Sequence, residues 1–168
     1  MESSALARFE AVVLPHLDAA YTLARYLTRN AQDAEDVVQD ACLRAIKYFE
    51  GFRGETGPSA RAWLLTIVRN TAHTWRTHHR PDALATEFDE TRHSDAAADD
   101  RPDAKETLGR ALERLAPEFR EVIVLRELQG LSYKEISDIA GVPIGTVMSR
   151  LSRARARLQD ALRAEEVR

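Results

Sequence analysis

The chain predicts an all-α protein of two small helical domains joined by a flexible acidic linker, and three observations carry that expectation. Outside one central stretch, apolar residues recur at steps of three and four, the period of helices with one buried face. Charge divides the chain in three. Residues 1–81 hold ten Lys/Arg and nine Asp/Glu, 82–104 hold eight acids against only Arg92 and Arg101, and 105–168 return to twelve bases and ten acids. Finally, Ser132 to Leu158 (SYKEISDIAGVPIGTVMSRLSRARARL) reads as a helix, a tight turn and a second helix with arginines on one face.

Taken in order, Ala5 to Thr28 places Leu6, Phe9, Val13, Leu17, Ala20, Tyr21, Ala24 and Leu27 along one side, with Pro15 bending or dividing the helix because its ring blocks continuation. Asn30 is placed to cap the next helix, whose core side is Val37, Val38, Ala41, Ala45 and Phe49. Its other side carries Asp36, Asp40 and Lys47, with Leu43 among them; a leucine exposed between charges is ordinary when solitary, but it also describes a docking surface. FEGFRGETGPSA, residues 49–60, has three glycines and a proline and reads as a loop, with Phe52 and Arg53 available at its start. From Arg61 to about His78 helical period resumes. Trp63, Leu64, Ile67, Val68, Thr71 and Trp75 form the expected core face, and Thr66, Arg69, Asn70, His73, Arg76, Thr77 and Arg80 form an acid-free opposite face.

The segment 82–104 has Leu84 and Phe88 as its only large apolar residues, too little burial to offset the entropy of ordering it. As a random coil it would reach on the order of 25–30 Å. Beyond it, Ser132 and Glu135 have capping-box spacing, and Ile136, Ile139 and Ala140 form the apolar side of a short helix. Gly141 suits the left-handed position that ends that helix, and Pro143 can enter the next. There Val147, Leu151, Ala154 and Leu158 make one buried stripe, and Thr146, Ser149, Arg150, Arg153 and Arg157 fall opposite it. A helix-turn-helix needs this division, since one face locks against the support helix while the other brings donors to base edges and phosphates. Ile144 to Leu158 has four arginines and no acid in a chain of net charge −3, a local strip that attracts phosphate whatever the global balance.

Composition excludes several classes. No stretch approaches the length of a membrane span, and Met-Glu-Ser-Ser with no basic segment leading into an apolar one argues against a secretory signal. Cys42, the only cysteine, sits among apolar positions as a core filler and fits a reducing cytoplasm. His73, His78 and His79 lack a paired ligand set for zinc, and Asp33, Glu35, Asp36 and Asp40 lack a second helix of matching ligands. No cofactor, metal or catalytic residue is expected.

DAEDVVQDACLRAIKYF, then FRGE, then ARAWLLTIVRN, and finally GLSYKEISDIAGVPIGTVMSRLSRARARL resemble the successive signatures of bacterial extracytoplasmic-function (ECF) RNA polymerase sigma factors, over about residues 9–162 apart from the linker. The resemblance implies domains at 1–81 (sigma region 2), 82–104 (linker) and 105–168 (sigma region 4). It makes Asp36, Gln39, Asp40, Leu43 and Lys47 candidates for binding the β′ clamp helices of core polymerase. Phe52, Arg53, Gly54 and Glu55 would capture an unpaired base of the −10 element, because an exposed aromatic and a guanidinium can stack on a base that has left the duplex. Arg69, Asn70, His73 and Arg76 would contact the rest of that element. Thr146, Ser149, Arg150, Arg153 and Arg157 would read the −35 element, the outer surface around residues 117–128 would meet the β flap, and an anti-sigma factor is an expected partner. The loop GETGPSARAW is longer and richer in glycine and proline than the family's usual version.

Two other classes compete. A two-domain regulator with a sensory N-terminal module would share the helix-turn-helix, yet the N-terminal module lacks strand–helix alternation and has its own cationic helix. A metal-dependent enzyme is weaker still, since a helix cap and docking face explain the acids of residues 33–40 better.

Overall fold

In a computed structural model of the protein, residues 3–54, 57–79 and 104–167 are described, and every regular element among them is helical. The acidic linker expected at 82–104 lies outside these residues apart from Ala104, as do Glu55 and Arg80.

Helix α1 (Ser3–Val13) gives way to a 3₁₀ turn at Leu14–His16 before α2 (Leu17–Thr28). Pro15 divides the segment there, since it has no N–H to donate and stands at the start of the turn. Arg29, in the left-handed conformation at φ 62°, ends α2, and the Asn30 side chain accepts from the Asp33 N–H at 2.9 Å to start α3 (Ala31–Tyr48). A 3₁₀ turn at Phe49–Gly51 and a short loop lead into α4 (Pro58–His79). Helices α2, α3 and α4 pack on one another around Leu23, Ala24, Val37, Ala41, Leu64 and Val68, all buried.

The second module begins with α5 (Ala104–Glu113) and α6 (Pro117–Ile123), the latter running into a single π-helical turn at Val124–Leu128. Then follow α7 (Tyr133–Ala140) and the long α8 (Ile144–Glu166). Both halves of the capping box form: Ser132 Oγ accepts from the Glu135 N–H at 3.1 Å, and the Ser132 N–H donates to Glu135 Oε1 at 2.9 Å. Gly141 takes φ +70° and donates its N–H to the Ser137 carbonyl, a conformation that costs a residue with a Cβ. Helix α8 packs on α5, α6 and α7, and its far end is locked by Glu165, whose buried carboxylate receives Arg110 and Arg114, each at 2.9 Å.

The two modules do not stand apart. One continuous core runs from Leu23, Leu64 and Val68 into Leu112, Val122, Leu125 and Ile136, with α2 against α6 and α4 against α7. Polar contacts cross the same seam: Arg69 Nε meets Glu121 Oε1 at 2.7 Å, and Gln129 donates to the Ala19 carbonyl at 3.3 Å. This explains why the expected core face of α4 is incomplete. Leu64, Val68 and Thr71 are buried as expected, but so are Leu65 and Ala72, while Trp63, Ile67 and Trp75 keep some exposure. Leu65, Arg69, Ala72 and Arg76 share a second face of α4, and Arg69 of that face reaches the second module.

Candidate nucleic-acid interface

The exposed side of α3 gathers Asp36, Gln39, Asp40, Leu43 and Lys47 on one face, as the helical period requires. Leu43 is 63% exposed, Asp40 makes an i,i+4 ion pair with Arg44 at 3.4 Å, and the Lys47 ammonium lies 5.8 Å from the Tyr48 ring. Leu43 is not solitary. Ile46, three residues on and on the same face, is 45% exposed, and Tyr48 is 55% exposed nearby. Neither was singled out from sequence, although an apolar residue at i+3 from an exposed leucine was the available signal. Cys42 is half-buried, and burial pushes its thiol up, away from the reactive thiolate.

The loop after α3 departs from expectation. Phe52 is not an exposed aromatic: it is 5% exposed and stacks on Phe49 at 6.3 Å and beside Trp63 at 4.7 Å between ring centroids. Phe9 meets Phe49 edge-on, and the Arg8 guanidinium covers the Phe49 ring at 4.8 Å while donating to the Phe52 carbonyl at 3.2 Å. Four aromatic rings bury more apolar area together than a ring left in water, and this clustering draws Phe52 inward. Gly54 closes over it; a Cβ there would stand 2.6 Å from the Phe52 ring. Arg53 alone of the three described loop candidates is exposed, its guanidinium held by the Glu50 carbonyl at 2.9 Å.

On α4 the candidates divide. Asn70 and His73 face solvent. Arg69 is drawn to Glu121 of the second module, and Arg76 is half-buried near the same carboxylate. Burial, and then the positive field of Arg29, hold the Arg76 pKa below the usual arginine value, with Glu121 opposing the shift.

In the helix-turn-helix, Val147, Leu151 and Ala154 are buried as the stripe requires, with Leu158 half-buried. Ser149 and Arg153 are exposed and Thr146 and Arg150 partly so; the Ser149 hydroxyl donates to the Thr146 carbonyl at 3.1 Å. Arg157 is exposed, with its guanidinium 5.4 Å from the Phe119 ring, a cation–π contact inside its own module. Arg155, one of the four arginines of the strip but not among the −35 candidates, pairs with Glu127 at 2.7 Å. Two further side chains were missed: Ile144 and Met148, 44% and 53% exposed at the start of α8.

The surface expected around residues 117–128 is corrected. Residues 120–125 are buried in the seam and against α8, leaving Pro117, Glu118, Glu127 and Leu128 exposed. Arg120 is 2% exposed; its guanidinium donates to the carbonyls of Leu112 at 3.0 Å, Leu115 at 2.8 Å and, across the seam, Tyr26 at 3.4 Å. Burial, with Arg29 and Arg76 adding to it, pushes its pKa down to about 9, so the side chain stays charged at neutral pH. The spaced apolar stripe that marks an outer helix is absent from VIVL, residues 122–125, and that unbroken apolar run was the available sign of burial on two sides.

The family model for Sigma-70 region 2 matches residues 12–81, and that for Sigma-70 region 4 matches residues 105–158. The chain is 34% identical to the ECF RNA polymerase sigma factor SigE of Mycolicibacterium smegmatis over 96% of its own length, and it spans 64% of that longer relative. It is 36% identical to the ECF RNA polymerase sigma-E factor of Haemophilus influenzae, covering 83% of this chain and 79% of that one. Among solved structures, the sigma factor RpoE in complex with the anti-sigma factor NepR from Bartonella quintana aligns at TM-score 0.70 with 31% identity, over 90% of this chain and 94% of that one. CnrH in complex with the cytosolic domain of CnrY aligns at TM-score 0.66 with 28% identity, over 93% and 88%. With both regions matched and relatives above 30% identity aligned over most of both chains, this chain belongs to the ECF RNA polymerase sigma factors.

Proposed function

We propose that this chain binds core RNA polymerase and directs initiation at promoters bearing two spaced elements, acting in the cytoplasm by binding alone and without catalysing a covalent step. The observation that carries the reading is the pair of arginine-bearing helix faces, one on α4 in the first module and one on α8 in the second. Arg53, Asn70 and His73 are accessible for the −10 element, with Arg69, Arg76 and Phe52 joining after rearrangement; Thr146, Ser149, Arg150 and Arg153 serve the −35 element. Asp36, Gln39, Asp40, Leu43 and Lys47, extended by Ile46, form the surface for the polymerase clamp. The modules correspond to residues 1–81 and 105–168, with 82–104 as tether.

Arg69 cannot hold a DNA phosphate and Glu121 together, so full engagement of the −10 element separates the modules at the seam. Core polymerase supplies that separation by holding each module at its own site, and the tether keeps the second contact intramolecular once the first is made. An anti-sigma factor would favour the closed arrangement. Of the solved relatives, the sigma factor RpoE is in complex with the anti-sigma factor NepR, and CnrH with the cytosolic domain of CnrY.

The test is reconstituted transcription with core polymerase on fragmented bacterial genomic DNA, mapping RNA 5′ ends with and without this chain. Defined new starts sharing two upstream elements are expected, and the yield should fall steeply with salt as phosphate contacts are lost. If no new start appears while the chain alone retards duplex DNA, it is instead a regulator that acts without polymerase.

A further inference from the structure

The start of α8 has two unlike edges. Thr146, Arg150 and Arg153 recur at steps of four and three along one of them, supplying hydrogen-bond donors and positive charge. Ile144 and Met148, one turn apart, lie on the other, with Ser149 and Ser152 between the two edges. Both apolar side chains are about half exposed, and neither belongs to the stripe of Val147, Leu151 and Ala154 that holds the helix to the module. The next cation along their edge is Arg155, and its charge is met by Glu127 at 2.7 Å. The edge is therefore apolar and close to neutral, beside one that is polar and cationic.

We infer that Ile144 and Met148 are specificity residues for the −35 element, reading the 5-methyl groups of thymine in the major groove. The inference rests on the proposed function and adds to it a base-level preference. The thymine methyl is the one apolar group that a base edge displays in the major groove, so an apolar side chain delivered there discriminates thymine from cytosine without a hydrogen bond. The neighbouring arginines and hydroxyls bring the helix to phosphates and polar base edges, which commits the apolar edge to duplex DNA over a protein partner. Met148 suits the role because its unbranched thioether adapts to the position of a methyl. Ile144 and Met148 are separated by about 6 Å along the helix axis, enough to reach thymines at neighbouring steps.

The test uses the full chain with core polymerase on a promoter identified by start-site mapping, replacing each −35 thymine singly by deoxyuridine, which pairs identically and lacks only the methyl. At one or two positions the wild-type holoenzyme should lose about fourfold in open-complex formation, the size expected for one buried methyl group. In Met148→Ala or Ile144→Ala that penalty should fall below about twofold at the matching position, while response to changes in the −10 element stays as in wild type. Both side chains are exposed, so neither variant should alter thermal unfolding, and the readout is specific to the base. If no deoxyuridine substitution weakens the wild type, or if both variants keep the full penalty, the methyl reading is overturned while the sigma-factor reading stands. If no promoter is found because the chain directs no initiation at all, the proposed function fails and this inference fails with it.

Discussion

Arg120 shows how a single buried cation can organise a junction. No carboxylate neutralises it by direct contact among the described residues; instead three carbonyls, one from the end of α5, one from the turn after it and one from α2 across the seam, accept its hydrogen bonds. Arg120→Ala would leave those carbonyls without their donor and open a cavity, so a loss of about 2–4 kcal/mol in unfolding free energy is expected by urea denaturation. Arg120→Lys should recover only part of it, because an ammonium does not span three acceptors placed for a planar fork. Gly54 is a second such residue. Gly54→Ala would drive a methyl into the Phe52 ring, which lies against Trp63, and should shift tryptophan emission while costing about 1–2 kcal/mol. An unchanged spectrum would mean that the ring moves aside freely, and that Phe52 is more available to a flipped base than its packing indicates.

Among the elements, the helix-turn-helix is the most locally determined. Its cap, its left-handed glycine and its apolar stripe all sit within residues 132–158, and each fell where the sequence placed it. Ser132→Ala should cost about 1 kcal/mol through loss of the cap, and Gly141→Ala about 1–2 kcal/mol through strain at φ +70°; both are measurable as lowered thermal midpoints. Helix α4 behaves differently. A helical period specifies which residues share a face, but says nothing of how many faces are covered, and α4 is covered on two. Its basic face was legible as a set of residues, while the removal of Arg69 and Arg76 from free solvent was not, because Glu121 lies 52 positions further along the chain.

At the scale of the molecule the seam is the controlling feature. A core that runs through both modules predicts a single cooperative unfolding transition in the free protein rather than two, with tryptophan fluorescence of the first module and helical signal of the whole chain coincident in urea. Glu121→Gln should weaken the closed arrangement by removing the charge opposite Arg69 and Arg76, which small-angle scattering would register as an increased radius of gyration and urea as a loss of about 1–3 kcal/mol. An unchanged radius would show that apolar packing alone holds the modules together. The all-α class, the helix ends at Asn30, Ser132 and Gly141, the exposed face of α3 and the arginines of α8 were all determined by the sequence itself, because caps, turns and helical faces are set by residues within a few positions of one another. The burial of Phe52, the engagement of Arg69, the concealment of Arg120 and the residues after it, and the exposure of Met148 were decided only by tertiary structure. Each depends on which distant surface a helix meets, and local spacing carries no information about that meeting.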